Sequence, residues 1–252
     1  MSESDSLYGS SENPEAPTPT PVPAPGLGLL DQFIGIFTEP VETFKKLNTA
    51  PAWIWALVLI ILVNLVVVGI WGFKVDVDAM LRPGFEANPK MTQEQMDQVI
   101  SMMEKFFPYI VIVQTLILVP VAVFAMSLIY WLIGRSTAEA ERPSYVHALC
   151  ATVVPGLVML PHSLLILVMA FLRPVGGLTP EKLTPSSVGF FVTAANPKVH
   201  ALLYALDPFT LGAFVLGFLA FRHTMKMKTG GAIACTVLAV IIAVGFRILG
   251  AK

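Results

Sequence analysis

The stretch Ile54-Trp-Ala-Leu-Val-Leu-Ile-Ile-Leu-Val-Asn-Leu-Val-Val-Val68 decides the fold class. Its apolar side chains follow one another without the alternation that a membrane barrel strand shows over ~10 residues. With its flanks the run reaches the ~20 residues that a helix needs to cross hydrocarbon. In lipid only helices and closed barrels pair every backbone group within the protein, so this stretch reads as a crossing helix. Four more stretches of the same kind follow, and the five run Ala52–Phe73, Tyr109–Ile133, Tyr145–Leu172, Val199–Phe221 and Gly231–Gly250. The expected fold is all-α: a polytopic membrane protein with five transmembrane helices and an N-terminal interfacial helix.

Composition agrees, with 55% hydrophobic and 13% charged residues, where soluble domains carry about a quarter charged. A net charge of -1 argues against a nucleic-acid partner. Cys150 and Cys235 lie in apolar stretches without CxxC spacing, which predicts buried free thiols rather than a disulfide or zinc site. The first apolar run begins only after about fifty residues, so the N-terminus does not read as a secretory signal peptide.

Residues 1–28 read as a separate tail. Its Ser, Glu and Pro content, ending in Pro-Thr-Pro-Thr-Pro-Val-Pro-Ala-Pro, buries too little apolar area to offset the entropy of ordering. A disordered Pro-rich cytoplasmic tail is expected there, followed by one membrane domain over residues 29–252. From Leu29 to Leu47, Leu30, Phe33, Phe37, Val41 and Phe44 recur every three or four residues, placing them on one helical face. Pro40 is expected to break the segment, with Thr38 capping the second piece. An amphipathic stretch directly before a crossing helix lies in the membrane interface or docks on a partner, which makes Phe33, Phe37 and Phe44 the candidate interface.

Aromatic rings mark the span ends. Trp53 and Trp55 open the first and Trp71 closes it, Tyr130 and Trp131 close the second, and Tyr145 opens the third. Basic residues are dense in the short loops on the N-terminal side, at Arg135, Arg142, Arg222, Lys226 and Lys228. Short loops dominate the positive-inside effect, so the N-terminus is expected in the cytoplasm. Between the first two spans, Thr92 to Phe107 reads as a further helix, opened by a Thr92/Gln95 capping box. Met96, Val99, Ile100, Met103, Phe106 and Phe107 share one of its faces.

The chain resembles the Yip-domain family, the Ypt-interacting integral membrane proteins, in its bacterial-type form. The resemblance rests on Phe37-Thr-Glu-Pro40-Val-Glu-Thr-Phe44 leading into Pro51-Ala-Trp53, on the five-span layout, and on Leu206-Asp207-Pro-Phe209 ahead of a short basic turn at Arg222 to Gly231. It covers Leu29 to the C-terminus. It implies five helices and a cytoplasmic N-terminus, here in a bacterial inner (cell) membrane. Eukaryotic members are associated with Rab-type GTPases, vesicle traffic and membrane shaping, and no residue here carries that GTPase partner over to this chain.

Polar residues inside spans are costly and often functional. At 1.5 Å rise per residue, Asn64 lies ~18 Å along the first span, His162 ~25 Å along the third and Arg247 ~24 Å along the fifth. Gln114 and Asp207 come ~7 Å and ~12 Å into the second and fourth spans. All five fall in the half of the core away from the N-terminus. They are therefore the candidate polar cavity, with Asp207 and Arg247 expected to form an ion pair. There is no HExxH, CxxC or Gly-x-Ser-x-Gly. No catalytic residue, cofactor or metal is expected, nor an enzyme. The expected partners are membrane lipid and either another membrane protein or a second copy. Two functional readings follow: a scaffold or adaptor in membrane organisation, or small-molecule or ion permeation through the polar cavity.

Overall fold

A computed structural model describes residues 26–86 and 91–250. The expected tail lies outside the described residues except for 26–28, which form no helix or strand. Two short helices, α1 (Leu29–Thr38) and α2 (Pro40–Thr49), precede the first crossing, α3 (Ile54–Lys74). After α4 (Val77–Glu86) comes α5 (Gln93–Thr137), 45 residues long. The third crossing is α6 (Tyr145–Val153), a 3-10 segment Val154–Met159, and α7 (Leu160–Leu172). A 3-10 turn Pro180–Leu183 and α8 (Val188–Phe191) lead to α9 (Pro197–Ala205), α10 (Pro208–His223) and α11 (Thr229–Gly250). Four helices are long and apolar enough to cross a membrane, and α9 with α10, bent by 61°, make a fifth as one broken span. The protein is an all-α polytopic membrane protein, and the described residues contain no strand.

Pro40 does divide the N-terminal segment, as position N1 of α2. Thr38 does not cap it: its hydroxyl donates back to the Ile34 carbonyl at 3.1 Å, and Glu39 takes the cap position. The single apolar face expected over both pieces is also corrected, because each helix turns a different side to the bundle. α1 buries Gln32 and Ile36 and exposes Leu30 to 74%, Ile34 to 56% and Phe37 to 49%. α2 buries Phe44 and Leu47 completely, within the core built on α3, α6 and α10. On its outward side Lys45 donates to Glu42 at 2.8 Å and holds that carboxyl below its ordinary value.

The helix expected at Thr92 to Phe107 and the second span are one helix. The capping box is present: Gln95 N–H donates to Thr92 Oγ1 at 3.3 Å, and Thr92 N–H donates to Gln95 Oε1 at 3.1 Å. Neither Pro108 nor Pro120 ends α5. At Pro108 a neighbouring backbone supports it, since a Cβ on Gly72 of α3 would lie 3.3 Å from Pro108 Cα. Forty-five residues make ~67 Å of helix against ~30 Å of hydrocarbon. The first turns of α5 therefore project beyond the bilayer, where Met103 and Phe107 pack with Val77, Met80 and Leu81 of α4.

At the N-terminal face the short connections are tied together by directed bonds. Thr224 Oγ1 donates to the Phe44 carbonyl at 2.9 Å, and Asn48 Nδ2 donates to the Thr224 carbonyl at 2.7 Å. Ser144 N–H donates to His147 Nδ1 at 3.1 Å, which assigns the ring proton to Nε2, 2.8 Å from the Asn48 carbonyl. Arg222 bonds Glu139 at 2.6 Å and also the Met227 carbonyl, and an antiparallel bridge joins Ala138 to Met227. Among the aromatics of the expected belt, Trp131 donates to the Pro143 carbonyl at 3.1 Å and meets Tyr145 edge-on at 6.2 Å. Cys150 and Cys235 are free and buried.

Phe44 is core and Phe37 is surface, and stability measurements separate the two. Phe44→Ala is expected to cost about 3–5 kcal/mol, and Phe37→Ala to stay within about 0.5 kcal/mol of the parent, read from unfolding of the full-length protein in detergent.

Candidate functional site

The polar centre of the molecule forms where the fourth crossing is broken. Leu206 and Asp207 separate α9 from α10, and Pro208 at N1 loses no bond by lacking an N–H. Asp207 is the N-cap of α10. Its Oδ1 accepts from the N–H groups of Phe209 at 2.9 Å and Thr210 at 3.1 Å. The carboxylate is 1% exposed, so its second oxygen also needs partners. Ser186 Oγ donates to Oδ2, and His162 Nδ1 of α7 lies 3.4 Å from the same oxygen. That separation suits an ion pair, but His162 Nδ1 and the buried Thr210 Oγ1 make no hydrogen bond among the described residues. Phe209 closes the other side, edge-on to the His162 ring with centroids 5.9 Å apart.

The expected Asp207–Arg247 ion pair is not formed. Arg247, on α11, donates instead to the Tyr204 carbonyl at 3.1 Å. Tyr204 is in the last turn of α9, whose carbonyls have no partner within the helix. A cation there suits the negative end of the helix dipole. The two charges serve opposite ends of one break, the carboxylate on the free N–H groups of α10 and the guanidinium on a free carbonyl of α9.

The other expected cavity residues are elsewhere. Asn64 is half-buried and donates to the Ile60 carbonyl of its own helix at 2.8 Å. Gln114 is exposed on α5. Of the five, the structure joins only His162 and Asp207 directly. Of the three candidate interface residues, Phe37 is exposed, Phe33 is half-buried against it with rings 5.3 Å apart, and Phe44 is enclosed in the core.

Two members of the polar centre were not singled out from the sequence. Thr210 was legible, because Asp-Pro is a helix-start signature and the residue two places past the proline has a free N–H. Ser186 was not, because it is 21 residues from Asp207 with no shared periodicity. Two further side chains close the same face of the protein. Trp71 Nε1 donates to the Leu178 carbonyl at 2.8 Å, and Lys74 Nζ donates to the Ala170 carbonyl in the last turn of α7 at 3.0 Å.

This arrangement binds backbone ends and holds one carboxylate dry. Ser186 gives its hydroxyl proton to that carboxylate. Among the described residues no group of three or more His, Cys, Asp or Glu could hold a metal ion.

Taken together, the helices define a polytopic membrane protein with four helices able to cross a membrane, one of them with a 3-10 interruption, and a fifth crossing where the bent pair α9 and α10 is taken as one span. The Yip1 domain family model matches residues 34–250, and the chain belongs to that family. Comparison with curated proteins gives no match, and comparison with solved structures gives none.

Asp207→Ala is expected to cost about 2–4 kcal/mol, from the lost cap and the stranded Ser186 hydroxyl. Asp207→Asn, which still caps, should lose less than half of that. Thermal unfolding of both variants in detergent gives the comparison.

Proposed function

We propose that this protein is a non-enzymatic scaffold or adaptor in membrane organisation, held in a bacterial inner membrane with α1 on the cytoplasmic side. The observation that carries the reading is the division of α1. Gln32 and Ile36 fasten one side to the bundle, while Leu30, Ile34 and Phe37 face outward from a helix that belongs to none of the crossings. An apolar face on a rigidly mounted helix at the membrane boundary suits a partner's helix. The orientation is supported by exposed Arg135, Arg142, Lys226 and Lys228 on the short connections of the same face.

The alternative, permeation, draws less support. Asp207 and Arg247 are each engaged with backbone ends, Asn64 is bonded within its own helix, and Gln114 faces away from the bundle. A conduction path needs polar groups facing one another across a shared space.

Deleting residues 29–47 would remove the buried Phe44 and Leu47, so the test uses surface substitutions. Full-length protein is crosslinked in cells, extracted in mild detergent, and compared with a Leu30→Ser, Ile34→Ser, Phe37→Ser variant that keeps the parent's unfolding temperature. A near-stoichiometric protein partner is expected with the parent, reduced at least tenfold in the variant. Recovery of lipid alone from both, together with solute flux in proteoliposomes lost on Asp207→Asn, would replace the adaptor reading with permeation.

A further inference from the structure

The face of α5 turned away from the bundle carries Ile110, Gln114, Leu118, Val121, Ala125 and Leu128, all exposed and spaced three or four residues apart. Nearer the start of α5 the same face is covered. Met96, Ile100 and Phe107 are buried there, and Phe107 shares a cluster with Val77 of α4. The stripe becomes bare from Ile110, where the helix enters the bilayer. Tyr109 marks that boundary, with its ring edge-on to Phe73 near the end of α3 and centroids 6.1 Å apart.

Gln114 is the polar member of this stripe, ~7 Å of helix past Tyr109. Among the described residues its amide makes no hydrogen bond, whereas adjacent Thr115 satisfies itself on the Val111 carbonyl at 2.8 Å. An amide facing hydrocarbon is costly, and amide side chains between crossing helices are a recurrent means of association. An amide also carries donors and an acceptor together, so it is complementary to itself. Copies of one chain insert with one orientation. A two-fold axis along the membrane normal therefore places Gln114 opposite Gln114 at equal depth. An unrelated helix would meet that depth with an amide only by coincidence, which is the argument for a second copy. Three turns further on, Ala125 allows the two backbones to approach.

We propose that the protein self-associates as a parallel two-fold dimer along α5, with the Gln114 amides of the two copies hydrogen-bonded across the axis. This surface is separate from α1, so the dimer stands or falls independently of the adaptor role.

The test is disulfide crosslinking of the full-length protein in native membranes, where buried Cys150 and Cys235 leave the introduced thiols as reporters. Val121→Cys and Leu128→Cys should each give a covalent dimer. Ile241→Cys, equally exposed at 62% on α11, should give little. In the Val121→Cys background, Gln114→Leu is expected to lower the dimer yield on the order of 3- to 10-fold, and Gln114→Asn to retain most of it. Gln114 is a surface residue, so both variants should unfold at the parent temperature. Equal yields from Val121→Cys and Ile241→Cys would overturn the proposal. So would a Gln114→Leu variant that dimerises like the parent, or capture of a different protein at Val121.

Discussion

The interruption of the fourth crossing at Leu206 and Asp207 is the constraint around which half of the molecule is arranged. Ending one helix and starting another inside a bilayer frees N–H and C=O groups that no water can reach, and each unmet group costs several kcal/mol. Asp207 takes the N–H groups of Phe209 and Thr210, and Arg247 takes the Tyr204 carbonyl. A buried carboxylate is itself expensive, and Ser186 and His162 meet it. One break therefore fixes the places of α7, α11 and the segment before α8. The two intramembrane charges are retained for backbone ends rather than for each other.

The third crossing follows the same rule by a different means. Pro155 and Pro161 cannot supply the N–H groups a continuous helix would use. The chain passes through the 3-10 segment Val154–Met159, whose tighter bonds keep most backbone groups paired. Val154, Pro155, Leu157 and Val158 are buried in that segment, so protein rather than lipid surrounds the irregular backbone. α5 is the contrast, since Pro108 and Pro120 leave it continuous. At the N-terminal face the same accounting is done by side chains, with Thr224, Asn48 and His147 linking α2, the α10–α11 connection and the start of α6.

This economy bears on function. In a permeation protein the polar groups at depth stay available to a solute, but here most of them are engaged by the fold. Inside, His162 Nδ1 and Thr210 Oγ1 stay without a hydrogen bond among the described residues, and two further features are unengaged at the surface. α1 offers an apolar face outside the crossings, and α5 offers a lipid-facing stripe with an amide in it. On the proposed reading both serve association, α1 with another protein and α5 with a second copy.

Much of the fold could be read from the chain alone. Apolar run length establishes crossing helices because hydrocarbon thickness and helix rise are constants. The Thr92/Gln95 box and the Pro40 break are local effects of side chains on adjacent backbone, and both are present. The direction in which each polar side chain points around its helix was not legible. Asn64, Gln114 and Arg247 were expected to line one cavity, yet they face their own helix, the outside of the bundle and a neighbouring helix end. Phe44 shared a period with Phe37 and proved to be core, because the turn at Pro40 rotates α2 against the bundle. Ser186 reached Asp207 only through the folding of the segment between them. Sequence by itself determined that the chain is built of helices long and apolar enough to cross a membrane, and where several of their local starts and breaks fall. The tertiary structure alone decided which groups meet, because a partner in lipid is selected by the packing of whole helices and not by spacing along one.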